Sequence, residues 1–235
     1  MATPLRLTIE AGLQAEQALL ADVCAGRRPD GVLFWQPTDQ ALVMPRRMSR
    51  LAGFEQAQQA LTAQGWPILL RETGGEPVPQ SAATINLALV YAAPRSEGDH
   101  GRIETAYKRL CQPLYDLVQV YGGAPSFGEV SGAFCDGRYN VNFAGRKWVG
   151  TAQRWRQGLS GTRPVVLVHG AMLVDDQRES MVQAVNHFNQ LCGLPQRCQA
   201  ASHIAFAEHY PGRPVVEPLA EAFAKVLAEV RAASH

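Results

Sequence analysis

Cys135 and Lys147 stand twelve residues apart in SGAFCDGRYNVNFAGRKWVGTAQRW, the stretch from Ser131 to Trp155. A cysteine thiolate is both a strong nucleophile and a good leaving group, provided its pKa is drawn down from about 8.5. A nearby ammonium does that and also stabilises an oxyanion. The two residue types therefore suit covalent catalysis if the chain brings them together. Each has an ordinary alternative. A single cysteine is most often a buried structural thiol, although Asp136-Gly137 directly after Cys135 marks an exposed turn. By pattern alone, Lys147 is equally well a solvated charge near a hairpin tip.

Positioning falls to the elements on either side. Tyr139, Val141 and Phe143 alternate with Asn140 and Asn142 before Ala144-Gly145-Arg146, which predicts a hairpin whose second strand runs from Lys147 to Trp155. A regular hairpin would set Cys135 roughly eight strand residues, or about 26 Å, from Lys147 at about 3.3 Å per residue. The pair can meet only if Phe134 to Arg138 folds back over the sheet, and Gly132 and Gly137 supply the freedom for that.

Further strands are predicted at GVLFWQP, QALVMP, WPILLRET, TINLALVYAA and PVVLVHGAMLV. Helices are predicted over about Leu13 to Cys24, Phe54 to Gln64, Asp99 to Tyr121, Arg178 to Leu191 and Leu219 to Arg231. In the third of these Asp99 is the N-cap, Ile103, Tyr107, Leu110, Leu114 and Leu117 share a face, and Pro113 should kink or interrupt the helix. The sum is an α+β chain with a mixed, largely antiparallel sheet and packed helices, organised as one domain over residues 1–235.

An apolar content of 46% is ample for a core, and 22 basic against 21 acidic side chains leave a net charge of +1. That excludes a global field able to recruit nucleic acid or anionic lipid. No stretch approaches the roughly 20 apolar residues that span a bilayer. The first residues lack the charged and then apolar regions of an export signal, so a soluble cytoplasmic protein is expected. The five cysteines are an odd set without a CxxC pair, which argues against a disulfide framework or a zinc site. Most of them are expected to be small buried hydrophobes.

Three segments, in order, resemble the lipoate-protein ligases and the octanoyl- or lipoyl-transferases, which share a fold with biotin-protein ligases. RETGG, Arg71 to Gly75, resembles that family's arginine before a Ser/Thr-Gly-Gly turn. YNVNFAGRKWVGTAQRW resembles its strand, Gly-Arg-Lys and Gly-Thr-Ala-Gln-Arg pattern. VLVHGAMLV resembles its His-Gly before an aliphatic strand. The resemblance covers Arg71 to Val174 and implies a biotin/lipoate protein ligase-like catalytic domain.

The chain departs from the standard ligases at Glu76, Pro77, Val78 and Gln80, where they continue with a third glycine, Ala-Val and a histidine. FCDGRYNV instead resembles the cysteine-dependent octanoyltransferase and amidotransferase branches. This implies Cys135 as the acyl-accepting nucleophile, Lys147 as its electrostatic partner, and Arg71, Thr73, Gly74, Gly75, Gly150, Thr151, Ala152, His169 and Gly170 around the substrate.

The expected reaction moves an octanoyl or lipoyl group from a carrier to a lysine of a lipoyl domain, with no metal and no tightly held cofactor. The expected partners are an acyl carrier protein or a lipoyl-domain protein such as glycine cleavage H protein. One alternative is an ATP-dependent lipoate-protein ligase, which would need ATP and magnesium. Another, favoured by the altered residues after Gly75, is a non-catalytic protein that binds acylated carriers or lipoate.

Each implied site residue also has a plainer reading. Gly74-Gly75 lets a backbone approach a ligand, or is an ordinary turn. Gly150 clears one strand position for an acyl chain, or marks a bulge. His169 has the chemistry of a base for an incoming amine, yet a lone histidine at a strand end is more often structural. His203 and His209 lack a third metal ligand and are expected at the surface. Arg46, Arg47 and Arg50 form the one dense basic cluster, a docking patch for an acidic carrier or a solvated loop.

Overall fold

Runs rich in β-branched and aromatic residues make the strands, and amphipathic runs make the helices that cover them. The computed structural model describes residues 3–95, 97–98, 101–159 and 163–234. Its elements in chain order are β1 (Leu5–Leu7), α1 (Ile9–Cys24), β2 (Asp30–Pro37), β3 (Ala41–Pro45), α2 (Phe54–Ala63), β4 (Ile68–Arg71), β5 (Val78–Gln80) and β6 (Thr84–Ala92). These are followed by α3 (Arg102–Val120), β7 (Pro125–Phe127), β8 (Val141–Phe143), β9 (Arg146–Gln157), β10 (Pro164–Leu173), α4 (Arg178–Leu191), α5 (Phe206–His209) and α6 (Val216–Ala232).

Seven strands form the main sheet in the order β1-β2-β6-β10-β9-β8-β7, and β4-β3-β5 form a second, smaller sheet. Pairing is antiparallel except for β1 with β2 and β3 with β4. The α+β expectation with a largely antiparallel sheet therefore describes the chain. Among the described residues no helix is long and apolar enough to cross a membrane.

Period-2 alternation on β10 decides what each face meets. Val166 and Val168 join the largest apolar cluster with Leu110, Leu114 and Phe223 from α3 and α6. Val165 and Leu167 point the other way, into a cluster with Leu19, Leu20 and Val23 of α1. The small sheet, α2 and α4 share a third cluster through Leu42, Met44, Leu61, Met181 and Phe188. A layer of small sheet plus α1 thus lies over one face of the large sheet.

Several boundaries differ from those expected. α1 starts four residues earlier than predicted, at Ile9, because Thr8 caps it by accepting the Ala11 N–H at 3.2 Å and Ile9 is itself buried. α1 also comes very close to β2: a Cβ on Gly12 would lie 2.4 Å from the Trp35 ring. α3 runs through Pro113 without interruption, so the predicted break does not occur, and Asp99 lies outside the described residues. The buried face of α3, with Leu110, Leu114 and Leu117 in the main core, outweighs the one backbone hydrogen bond that proline cannot donate.

Candidate active site

Ala144 (φ 50°) and Gly145 (φ 69°) supply the left-handed turn between β8 and β9, and Lys147 follows as the second residue of β9. Its side chain is buried, 3% exposed. The ammonium donates to the carbonyl oxygens of Phe134 at 2.7 Å and Cys135 at 2.6 Å. Burial pushes the ammonium down from its ordinary value, while Cys135 and then Asp136 pull it back up. The fold-back is therefore real. Its left-handed kinks fall at Gly132 (φ 82°) and at Cys135 itself (φ 45°), not at Gly137.

A non-glycine residue in that region costs roughly 1–2 kcal/mol, so the contacts around Cys135 must hold it there. Asp136 supplies one set. Its Oδ1 accepts the Val130 N–H at 2.9 Å, the Gly137 N–H at 3.1 Å and the Asn140 side-chain amide at 2.7 Å. His203 supplies another, because its Nε2 accepts the Phe134 N–H at 3.1 Å. Its backbone also runs parallel to Lys147.

The Cys135 sulfur accepts the Glu76 N–H at 3.2 Å, and the Arg71 guanidinium lies near it across Gly75, close enough for the two to interact electrostatically. Arg71 Nη2 donates to Gly74 O at 2.8 Å and Glu76 O at 3.0 Å, which shapes the turn around the sulfur. Arg71 Nε is buried without a partner. Burial pushes the guanidinium down and Cys135 opposes that. A side chain at Gly75 (φ 101°) would be strained, since a Cβ would sit 3.0 Å from the sulfur and 2.9 Å from Arg71 Nη2. The positive charge is thus shared: Arg71 and the Glu76 amide face the sulfur, while Lys147 holds the backbone that carries it.

Cys135 also walls a small cavity of about 30 Å³ between the two sheets, lined by Leu13, Glu16, Arg71, Val78, Gln80, Asn86, Gly150, Thr151, Ala152, His169, Gly170 and Ala171. Its floor is built by register. Gly150 pairs with Ala171 and Ala152 with His169, so small residues keep that patch of the large sheet low. Two larger grooves share lining residues with it. One of about 710 Å³ shares Arg71, Glu16, Leu13 and His169 with it and adds Arg46 and Arg156. The other, about 730 Å³, shares Cys135 and adds Arg47, Glu76, Glu129 and Arg197.

The remaining sequence candidates divide. Thr73 is buried, and its hydroxyl meets His169 Nε2 at 3.0 Å, while His169 Nδ1 meets Glu16 Oε2 at 2.7 Å. Glu16 Oε1 in turn accepts the Trp35 indole N–H at 2.9 Å. Gly150 leaves room for the lysine, because a Cβ there would lie 3.2 Å from Lys147 Cε and Nζ. Thr151 donates its hydroxyl to Tyr139 O at 2.9 Å. Gly170 presents only backbone to the cavity; its open side packs toward Val149 and Leu110. Gly74 is exposed, and a Cβ there would meet nothing within 4 Å.

Other expectations need correction. Only Cys111 of the five cysteines is fully buried, and burial pushes its thiol up to about 12. The other four are half-buried because they sit at helix ends and in loops, outside the strands and helix faces that fill the core. His209 is exposed, but His203 is 2% exposed, since the chain after α4 returns to pair with β9. The arginine cluster is partly engaged within the chain: Arg46 pairs with Glu72, and Arg47 donates to Gly75 O. Glu16, Asp136 and His203 escaped the sequence reading as site residues. Glu16 sits on a helix with no local sign of its distant partners, and His203 lies far along the chain. Asp136 was read only as a turn residue.

The geometry places the Cys135 thiol beside a small cavity in a two-sheet fold. The chain belongs to the family described as the lipoyl protein ligase A/B catalytic domain, whose model matches residues 8–228. It is 32% identical over 220 residues to the octanoyl-[GcvH]:protein N-octanoyltransferase of Kyrpidia tusciae, covering 91% of this chain and 74% of that protein. It is 39% identical over 172 residues to an uncharacterised protein of Cupriavidus necator, covering 69% of this chain and 66% of that protein. Among solved structures, lipoate-protein ligase A bound with ATP superposes with a TM-score of 0.68 at 14% identity, over 98% of this chain and 86% of that one. That last likeness concerns the fold.

Proposed function

We propose that this protein is a cysteine-dependent octanoyltransferase that moves an octanoyl group from a carrier such as glycine cleavage H protein to a lysine of a lipoyl domain. One observation carries the reading: the Cys135 sulfur lies by the Glu76 amide and the Arg71 guanidinium at the wall of a small cavity that shares lining residues with two larger grooves. The name of the Kyrpidia tusciae relative supplies the acyl group and the carrier.

In this mechanism the Cys135 thiolate attacks the carbonyl of the carrier-bound octanoyl group. The unpartnered Arg71 Nε and the Glu76 amide are the donors available to the oxyanion. The bond between the acyl carbonyl and the carrier breaks, the carrier takes a proton from solvent, and the octanoyl group remains on sulfur as a thioester. A neutral lysine amine of the acceptor then attacks that thioester, the amide forms as the C–S bond breaks and the thiolate is released, and the proton lost by the amine returns to solvent. The cavity of about 30 Å³ holds roughly one water's share of volume. An eight-carbon chain needs several times that, so most of it would lie in the larger groove that shares Leu13, Glu16, Arg71 and His169 with the cavity. The reaction needs a reduced thiol, which suits the cytoplasm.

Incubation with octanoyl-loaded carrier should place the acyl group on Cys135 by intact mass, without ATP, and Cys135→Ala should abolish both adduct and transfer. An unchanged transfer rate in Cys135→Ala rejects the mechanism. A strict requirement for ATP and magnesium would instead make the protein a lipoate-protein ligase, and tight carrier binding without turnover in either assay would make it a binding protein.

A further inference from the structure

We propose that His203 is a positioning residue for Cys135, acting as the neutral, acceptor half of a clamp whose other half is Lys147. The inference rests on the cysteine reading above. His203 Nε2 accepts the Phe134 N–H at 3.1 Å. Its Nδ1 lies 3.0 Å from Gln199 O, a carbonyl that can only accept. Together these contacts define one tautomer, with the proton on Nδ1 and the lone pair on Nε2. The ring stacks on Phe134 with centroids 4.1 Å apart.

From the opposite side Lys147 donates to the carbonyls of Phe134 and Cys135. The peptide groups leading into the left-handed Cys135 are therefore gripped at N–H by an acceptor and at C=O by a donor. The two grips share a frame, because His203 is bridged to Lys147 and the Ile204 N–H donates to Lys147 O at 2.9 Å.

A second proton on His203 would remove the lone pair and oppose a donor to the Phe134 N–H. Burial and the charged groups facing the ring work against that proton and together outweigh the Gln199 and Ala200 backbone, which favours it. Lys147 lies on β9, Arg178 on α4 donates to His203 O at 2.9 Å, and Phe134 and Met181 contribute apolar surface to the cavity of about 20 Å³ that His203 and Lys147 also line. Burial and then Lys147 hold the imidazole down to about 4. At neutral pH the acceptor is present. No reaction step passes through His203; it acts through the placement of the sulfur relative to Arg71 and the Glu76 amide.

Two variants separate ring from acceptor. His203→Phe keeps a flat ring against Phe134 but offers no lone pair, and His203→Gln offers a carbonyl at about the reach of Nε2 without the ring. In the full chain, octanoyl transfer to Cys135 should fall at least tenfold in His203→Phe with KM for the loaded carrier unchanged, and His203→Gln should recover most of it. Carboxamidomethylation of Cys135 by iodoacetamide, read by peptide mass, should fall at least threefold in His203→Phe and recover likewise. That arm needs no acyl transfer, so it judges the clamp even if wild-type enzyme forms no octanoyl-Cys135.

Wild-type labelling and acylation rates in His203→Phe would overturn the clamp, as would equal impairment of both variants. If His203→Phe does not fold, long-range ¹H–¹⁵N spectra of the wild type decide. An unprotonated Nε2 is required, and a protonated one overturns the proposal.

Discussion

The Lys147 ammonium donates to the backbone oxygen of Cys135 at 2.6 Å, although a straight hairpin would hold the two residues far apart. The lysine therefore does two jobs with one group. It fixes a left-handed residue in place, and it sets a positive charge inside the protein close to a sulfur.

Lys147→Ala should accordingly lose more than activity. The carbonyls of Phe134 and Cys135 would be left without their donor, at a cost of about 2 kcal/mol or more. Urea unfolding should show that loss alongside an acylation rate near background. Gly150→Ala should mimic part of it, since its Cβ would press on Cε and Nζ at 3.2 Å. A Lys147→Ala protein with wild-type stability would contradict this account of the loop.

Gly75→Ala tests the sulfur's seat. The new methyl group would meet both Cys135 Sγ and Arg71 Nη2, at a residue with φ of 101°. A penalty of roughly 1–3 kcal/mol for the forced conformation is expected. Acylation should fall by more than tenfold. Gly74→Ala, whose Cβ would meet nothing within 4 Å, should leave both nearly unchanged. Equal effects at the two glycines would show that the turn as a whole, and not contact with the sulfur, is what matters.

Glu16→Ala should unsettle the other end of the cavity. It removes the acceptor of the Trp35 indole and the partner of His169 Nδ1 from a site that is 2% exposed. Leaving those groups unmatched costs about 1–3 kcal/mol. Glu16→Gln keeps an oxygen for Trp35 and should be milder. Indole fluorescence and chemical denaturation read both effects, and a harmless Glu16→Ala would contradict the network.

The buried His203 makes stability fall in acid. Its folded-state value of about 4 lies below the ordinary 6.5, so the unfolded chain takes up the proton first. The stabilisation is complete above the unfolded value and is lost as pH falls from about 6.5 towards 4. Between about pH 7 and pH 5 this one group should remove on the order of 2 kcal/mol. His203→Gln should flatten that part of the profile, and parallel profiles for the two proteins would refute the assignment.

The sheet, most helices and the hairpin around Ala144-Gly145 were legible because hydrophobic period and turn chemistry are local properties. Cys135, Lys147 and the glycine turn stood out because their types and order resemble a known family, and the structure brings Cys135 and Lys147 into contact. Arg71 hydrogen-bonds the carbonyls of Gly74 and Glu76 beside the sulfur. Glu76 looked like a departure from the glycine pattern, yet its main-chain N–H meets the Cys135 sulfur, a contact that any non-proline residue can make.

Sequence alone settled which chemistry this chain can offer: one thiol beside a turn, one lysine in a strand, and the strands to carry them. Tertiary structure decided that they share a site. A kinked loop brought the Cys135 carbonyl onto Lys147, and His203, more than fifty residues beyond Lys147, came to accept the Phe134 N–H next to it. Contacts of that kind depend on how layers pack, and no local pattern of residues encodes them.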